Sequence, residues 1–367
     1  MSLCSHDLLD SLQDTAVLRR RDPHGMMGLV LSFADQCRTA TTIGAEFGQD
    51  WTPAVEIRQV VLTGLGGSAI GGDFARCLME EFGSVPLIVN RDYTLPHWVG
   101  PHTLVIAASY SGNTEETLNA YVQARDRGAQ IAVITSGGKL ADLGRQDRIP
   151  AAIVPGGQPP RSATGFMFFP LMHLLMRLGL LDKHLASEID ETITIIDAMA
   201  RRLGPNVPSA ENPAKQMALA LQGKLPIIYG SQGYRGAVAM RWKGQFNENA
   251  KQAAFSNVLP EQNHIEALAW VLAQKQAQNW AVVFLRDPLE LKESPRIARR
   301  VEITKELVGK ETEVHEVWAE GVSFLARMFS LIYFADFVTV YVALLNDICP
   351  TDMATLDYLK AELAKLK

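Results

Sequence analysis

Apolar residues in the first 50 positions recur at helical spacing, Leu8, Leu12 and Ala16 and then Leu29, Phe33 and Cys37, which predicts two helices ahead of the main fold. From residue 57 the period changes. Short apolar runs at 57–63, 86–90, 103–108, 130–134 and 151–154 alternate with helically spaced stretches at 68–82, 113–127 and 163–180. Strands separated by that much helix pair in parallel, so this stretch predicts an α/β unit with crossover helices. Residues from about 184 to 220, which include RRLGPNVPSAENP with its three prolines, separate it from a second cycle. That cycle opens with LPIIYGSQGYRG (Leu225–Gly236), again a strand running into a glycine-containing turn, and continues through strand-like Trp280–Leu285 and Glu311–Trp318. The expected architecture is two tandem doubly wound parallel-sheet domains. The division is 1–50 for a helical segment, 51–205 for the first domain, and 206–367 for the second with its C-terminal helices.

Composition narrows the class. At 367 residues with 47% hydrophobic and 20% charged side chains, the chain can fill sizeable cores and exceeds what one core usually serves. The net charge is −5, and the basic clusters Arg19–Arg21 and Arg296–Arg300 are too short to outline a nucleic-acid footprint. Cys4, Cys37, Cys77 and Cys349 are widely spaced with no C-x-x-C, which fits a reducing cytoplasm better than a disulfide framework or zinc ribbon. The amino terminus carries acids where a signal peptide has a basic end. The longest apolar candidate, Val322–Leu345, is interrupted by Arg327 and Asp336 and reads as a buried core helix, so no membrane partner is expected. Eight histidines show no H-x-H or H-x-x-x-H pair, so no metal is expected either.

The candidate chemistry begins at LTGLGGSAIGGDF, Leu62–Phe74, a glycine-rich turn between strand and helix. Gly64, Gly66 and Ala69 satisfy the dinucleotide pattern G-x-G-x-x-G/A, and a turn that merely packs helix on sheet is a second reading. The strand that should supply a ribose-binding acid ends in Asn90, with Asp92 two residues beyond. A compact terminal phosphate is the third reading, and the next turn favours it. There Ser109, Ser111 and Thr114 crowd hydroxyls at a helix amino terminus, where free N–H groups and the helix dipole attract anions. An ordinary N-cap at Asn113 or Thr114 accounts for one hydroxyl, not three.

GLGGSAIGGD (Gly64–Asp73) and SYSGNTEET (Ser109–Thr117) together resemble the sugar isomerase, or SIS, domain. With PRSATG (Pro160–Gly165), NENAK (Asn247–Lys251), LPEQNHIEALAW (Leu259–Trp270) and LDYLKAEL (Leu356–Leu363), the chain resembles the bifunctional phosphoglucose/phosphomannose isomerases from about residue 57 onward. The resemblance implies two SIS-type domains, a homodimer, no cofactor, and metal-free conversion of glucose or mannose 6-phosphate to fructose 6-phosphate. It further implies roles for single residues. Gly67, Ser68, Ser109, Ser111 and Thr114 would bind the phosphate, and Glu248 would be the base, its carboxyl raised in pKa if shielded from water. Arg161 would stabilise the enediolate, His264 would open the sugar ring from the neighbouring subunit, and Lys360 would lie near the ring oxygen. Three positions depart from the family pattern: Thr164 where leucine is usual, Gln252 in place of a common proline, and Ile265 after the histidine in place of asparagine. A sugar-phosphate sensor without turnover would keep the hydroxyls but would not need Glu248, His264 and Arg161 together. An amidotransferase-type aminosugar isomerase would need a cysteine directly after the initiator methionine, and Cys4 is not there.

Overall fold

The computed structural model describes residues 5–363 and residue 365. Four short helices, α1 (Ser5–Ser11), α2 (Thr15–Arg21), α3 (Met26–Leu31) and α4 (Phe33–Glu46), replace the two that spacing predicts. The breaks have local causes. Asp14 restarts the chain by accepting from the Ala16 amide at 2.8 Å, and buried Asp22 accepts from the Met26 and Met27 amides at 2.9 and 2.7 Å at the start of α3. Short acidic side chains compete for backbone donors in this way and divide a continuous apolar stripe into separate helices.

Strands β1 (Gln59–Thr63), β2 (Leu87–Asn90), β3 (Thr103–Ser109), β4 (Gln130–Thr135) and β5 (Ala151–Ile153) form a parallel sheet in the order β2-β1-β3-β4-β5. Helices α5 (Gly66–Phe82), α6 (Glu115–Asp126) and α7 (Gly138–Gln146) make its crossovers, and a 3₁₀ turn at Pro160–Ser162 leads into α8 (Thr164–Arg177). Val61 of β1 pairs with Ile88 on one side and Val105 on the other. The chain order reverses across β1, and a sheet wound in two directions opens a crevice at the carboxyl ends of the strands where that happens.

The connector runs through a 3₁₀ segment at Lys183–Glu188, α9 (Ile189–Leu203) and α10 (Pro213–Leu221). The second sheet takes β6 (Leu225–Ser231), β7 (Phe255–Leu259), β8 (Trp280–Arg286) and β9 (Glu313–Trp318) in the parallel order β7-β6-β8-β9. Among the described residues it repeats the first sheet without a fifth strand. Helix α11 (Tyr234–Gln245) follows β6 and runs into a π-helical turn at Phe246–Ala250. Then come α12 (Gln262–Ile265), a 3₁₀ segment at Glu266–Leu272, α13 (Gln274–Ala277), α14 (Glu290–Glu293), α15 (Pro295–Val308), α16 (Phe324–Leu345) and α17 (Ala354–Leu363).

Helix α16 is long and apolar enough to cross a membrane, yet all of it except Phe324 is buried within the protein. It is the central core helix. Its Phe329 meets Phe33 of α4, Phe74 of α5, and Phe168 and Phe169 of α8, with ring centroids 5.1–6.4 Å apart. Each such ring contributes roughly 1.5–3 kcal/mol through burial. The second unit therefore inserts a helix into the core of the first, and the proline-bearing connector joins two parts of one packed interior.

Candidate active site

Helices α5 and α6 both start at the carboxyl edge of the first sheet, and neither has a side-chain cap at its amino end. Their leading N–H groups are left for a ligand. Gly66 opens α5 with φ of +50°, a left-handed conformation that suits glycine, and its Cα faces open space. Gly67 is the reverse case. A Cβ there would come within 2.6 Å of the Pro160 carbonyl carbon and 2.7 Å of the Arg161 nitrogen. The glycine turn is thus pressed against the loop that carries Arg161.

The two turns are linked to each other. Buried Ser68 accepts from the Tyr110 amide at 2.9 Å through its hydroxyl, which joins the start of α5 to the end of β3. Ser109 is also buried, with its hydroxyl 2.8 Å from that of Thr114 and accepting from the Gly112 amide at 3.1 Å. Thr114 occupies the N-cap position of α6, but its side chain makes no capping hydrogen bond. Ser111 is exposed, its hydroxyl accepting from the Asn113 amide at 3.3 Å and its carbonyl from Asn113 Nδ2 at 3.1 Å. Of the three hydroxyls in this turn, Ser109 mainly sets the shape, whereas Ser111 and Thr114 retain accessible surface.

Arg161 is 1% exposed. Its Nε donates to Asn249 Oδ1 at 2.7 Å, Nη2 to the Pro350 carbonyl at 2.6 Å, and Nη1 to Glu248 Oε2 at 3.5 Å. Burial lowers its pKa from the usual arginine value, and the Glu248 carboxylate opposes that shift. The group remains a cation because arginine titrates so high. Glu248 lies on the π turn, a distortion often found at functional sites, with its side chain 32% exposed. Within one chain the carboxylate is only partly shielded from water. Lys251 ends the turn with φ of +50° and donates to the Glu248 carbonyl at 2.8 Å and the Pro350 carbonyl at 3.0 Å.

Sequence reasoning did not single out Asn249 and missed the carbonyl of Pro350 altogether. The NENAK run did set Asn249 beside Glu248, which was a usable signal. No local pattern marks a carbonyl 189 positions from its arginine.

His264 and Lys360 are not joined to this cluster. The His264 side chain is exposed on α12 and makes no hydrogen bond or ion pair among the described residues. Around it Ile265, Leu268, Val271 and Leu272 are 61–89% exposed. Lys360 lies on α17, a helix with no buried residue. The three departures from the family pattern have structural contacts of their own. Thr164 Oγ1 donates to the Arg161 carbonyl at 3.4 Å, Gln252 donates to the carbonyls of Leu221 and Lys224, and Ile265 belongs to the exposed apolar stretch.

In the second unit the residue that follows β8 gathers its own partners. Buried Asp287 accepts from the Tyr234 hydroxyl and from Arg327 Nε at 3.0 Å, and lies 3.5 Å from Arg235 Nη1. The uncapped ends of α5 and α6 make the first sheet the candidate anion site.

A family model described as the SIS domain matches residues 55–174, and one described as the bacterial phospho-glucose isomerase C-terminal SIS domain matches residues 210–363. The chain is 42% identical to a bifunctional phosphoglucose/phosphomannose isomerase of Caldicellulosiruptor bescii, over 93% of this chain and 100% of that one. It is 35% identical to the enzyme of the same name from Aquifex aeolicus, over 87% and 94% of the two chains. Among solved structures, a hypothetical protein of Thermus thermophilus superposes with a TM-score of 0.76 at 15% identity, covering 98% of this chain and 94% of the other. That last likeness is one of fold.

Proposed function

Because this chain belongs to the bifunctional phosphoglucose/phosphomannose isomerase family, we propose that it interconverts glucose 6-phosphate and mannose 6-phosphate with fructose 6-phosphate, without cofactor or metal. One observation carries the residue assignment: a buried guanidinium fixed 3.5 Å from a partly exposed carboxylate, beside two uncapped helix ends. The phosphate binds at Gly67, Ser68, Ser111 and Thr114, with Ser109 shaping the turn. Glu248 takes the C2 proton of the open-chain aldose, and the electron pair moves into the C1–C2 bond as the carbonyl oxygen gains charge. Arg161 stabilises that enediolate. Return of the proton to C1, with transfer of the O2 hydroxyl proton to O1, gives the ketose. Glucose and mannose differ only in configuration at C2, which is planar in the enediolate, so one site serves both.

The chain works as a homodimer in this reading. His264 opens the ring in the partner's site, and Lys360 approaches the ring oxygen. What supports this is the exposure of both side chains together with the apolar surface at Ile265, Leu268, Val271 and Leu272. The unpaired thiols of Cys37, Cys77 and Cys349 support a cytoplasmic location. The domain division at 51–205 and 206–367 is kept as a topological one, since the two parts share a core. A non-catalytic sensor has no use for a carboxylate held against a desolvated guanidinium.

The test is direct. Chelator-treated protein should convert fructose 6-phosphate to glucose 6-phosphate in a coupled dehydrogenase assay, and mannose 6-phosphate should be consumed in a parallel one. Glu248→Gln should lose turnover by roughly 10²–10⁴-fold while still binding sugar phosphate. Binding without turnover in the unsubstituted protein would favour the sensor.

A further inference from the structure

We infer that α16 positions the guanidinium of Arg161 through two buried arms, with Asp336 and Thr339 as their anchors. The inference rests on the reading of Arg161 as the group that meets the enediolate. The first arm runs through Arg241 of α11. Its Nη2 donates to the Arg161 carbonyl at 2.6 Å and to Asp336 Oδ1 at 3.1 Å, and Gln245 Nε2 donates to the same carboxylate oxygen. The second runs through Asn249. Its Nδ2 donates to Thr339 Oγ1 at 3.1 Å, its Oδ1 accepts from Arg161 Nε at 2.7 Å, and Thr339 donates onward to the Ala335 carbonyl at 2.8 Å. Asp336 and Thr339 are three residues apart, so both point from one face of the helix.

The chemistry of the donors fixes the direction of the second arm. Arginine can only donate, so Asn249 must turn its oxygen to Nε and its NH₂ to an acceptor, and the Thr339 hydroxyl is that acceptor. With Nε held by Asn249 and Nη2 by Pro350, the guanidinium plane has one orientation, and that orientation presents Nη1 to Glu248. Arg241, Asn249, Asp336 and Thr339 are all less than a tenth exposed, so bulk water does not reach these bonds. A buried ion pair such as Arg241–Asp336 is weak evidence for stability by itself. Here it holds the backbone of a residue whose side chain faces the candidate site. None of the four touches substrate in this reading, so they are positioning residues.

Thr339→Val keeps the shape of the side chain and removes the acceptor for Asn249. The expected result is a fall in kcat of about tenfold, because small misplacements of a reacting group are costly, with KM for fructose 6-phosphate within about twofold since the phosphate turns are untouched. Thr339→Ser, which restores the hydroxyl, should recover the lost kcat. Asn249→Ala cuts the same arm at its other end and should lose at least as much. A normal kcat in Thr339→Val, or in Asn249→Ala where the valine protein does not fold, overturns the inference, as does a failure of serine to restore turnover. Arg161→Lys measured alongside separates the two levels. Full turnover in that variant sinks the role given to Arg161, whereas its loss beside normal Thr339 and Asn249 variants sinks only the positioning arms.

Discussion

Gly67 and Arg161 are in backbone contact: a Cβ on the glycine would sit 2.7 Å from the arginine nitrogen. The turn read as phosphate-binding and the arginine read as electrophile are therefore one unit. On that reading, a sugar held at its phosphate by the first would be brought to the second at a fixed reach.

Gly67→Ala should disturb that unit. The added methyl meets backbone, which cannot swing aside, so the two segments must separate, at a cost of about 1–3 kcal/mol. Thermal unfolding should show a lowered Tm, and kcat should fall more steeply than in Gly66→Ala. At Gly66 the substitution meets no neighbour and costs only the strain of a positive φ. Equal effects on kcat at the two positions would contradict the contact.

Ser111→Ala and Thr114→Val should raise KM for fructose 6-phosphate several-fold while leaving kcat nearly unchanged, because phosphate grip is lost equally in ground and transition states. Ser109→Ala should behave differently. Its hydroxyl is spent on Thr114 and the Gly112 amide, so the change should lower Tm as well. Unchanged KM in both Ser111→Ala and Thr114→Val would remove the phosphate from this turn.

Shared sites make a further prediction. Mixing inactive Glu248→Gln and His264→Ala proteins, with subunit exchange, should restore about a quarter of the wild-type rate, because half the dimers are mixed and each has one intact site of two. Absence of any recovery after verified exchange would confine each site to one chain.

Lys215 gives a prediction about pH. It is fully buried, its ammonium donates to the carbonyls of Leu9 and Pro205 at 2.8 and 2.9 Å, and burial lowers its pKa from 10.5 to about 8. Between those values the unfolded chain holds a proton that the folded chain has released, so stability rises with pH across this window. Below about 8 both states are charged and the burial cost stands in full. Between pH 7.5 and 9.5 the parent should gain about 1–2 kcal/mol relative to Lys215→Met, read from denaturant unfolding. A flat difference across that range would contradict the shift.

The first sheet was legible because its strands and helices have separate periods, and parallel pairing follows from the length of the crossovers. Helix ends were less so. The 8–16 stripe breaks after Ser11, where Asp14 and then Asp22 take backbone donors for themselves. The π turn that carries Glu248 left no trace in the pattern, since it differs from an α-helix by one residue of register.

By itself the sequence determined the alternation of strand and helix, the two glycine-bearing turns, and the family with its candidate residues, because these depend on spacing and residue type over short distances. Only the tertiary structure decided that α16 would join both parts in one core, that Asp287 would meet Tyr234, Arg235 and Arg327, and that Asn249 and the Pro350 carbonyl would grip Arg161. Those outcomes depend on which groups meet when segments far apart in the chain exclude water together, and a one-dimensional pattern does not contain that information.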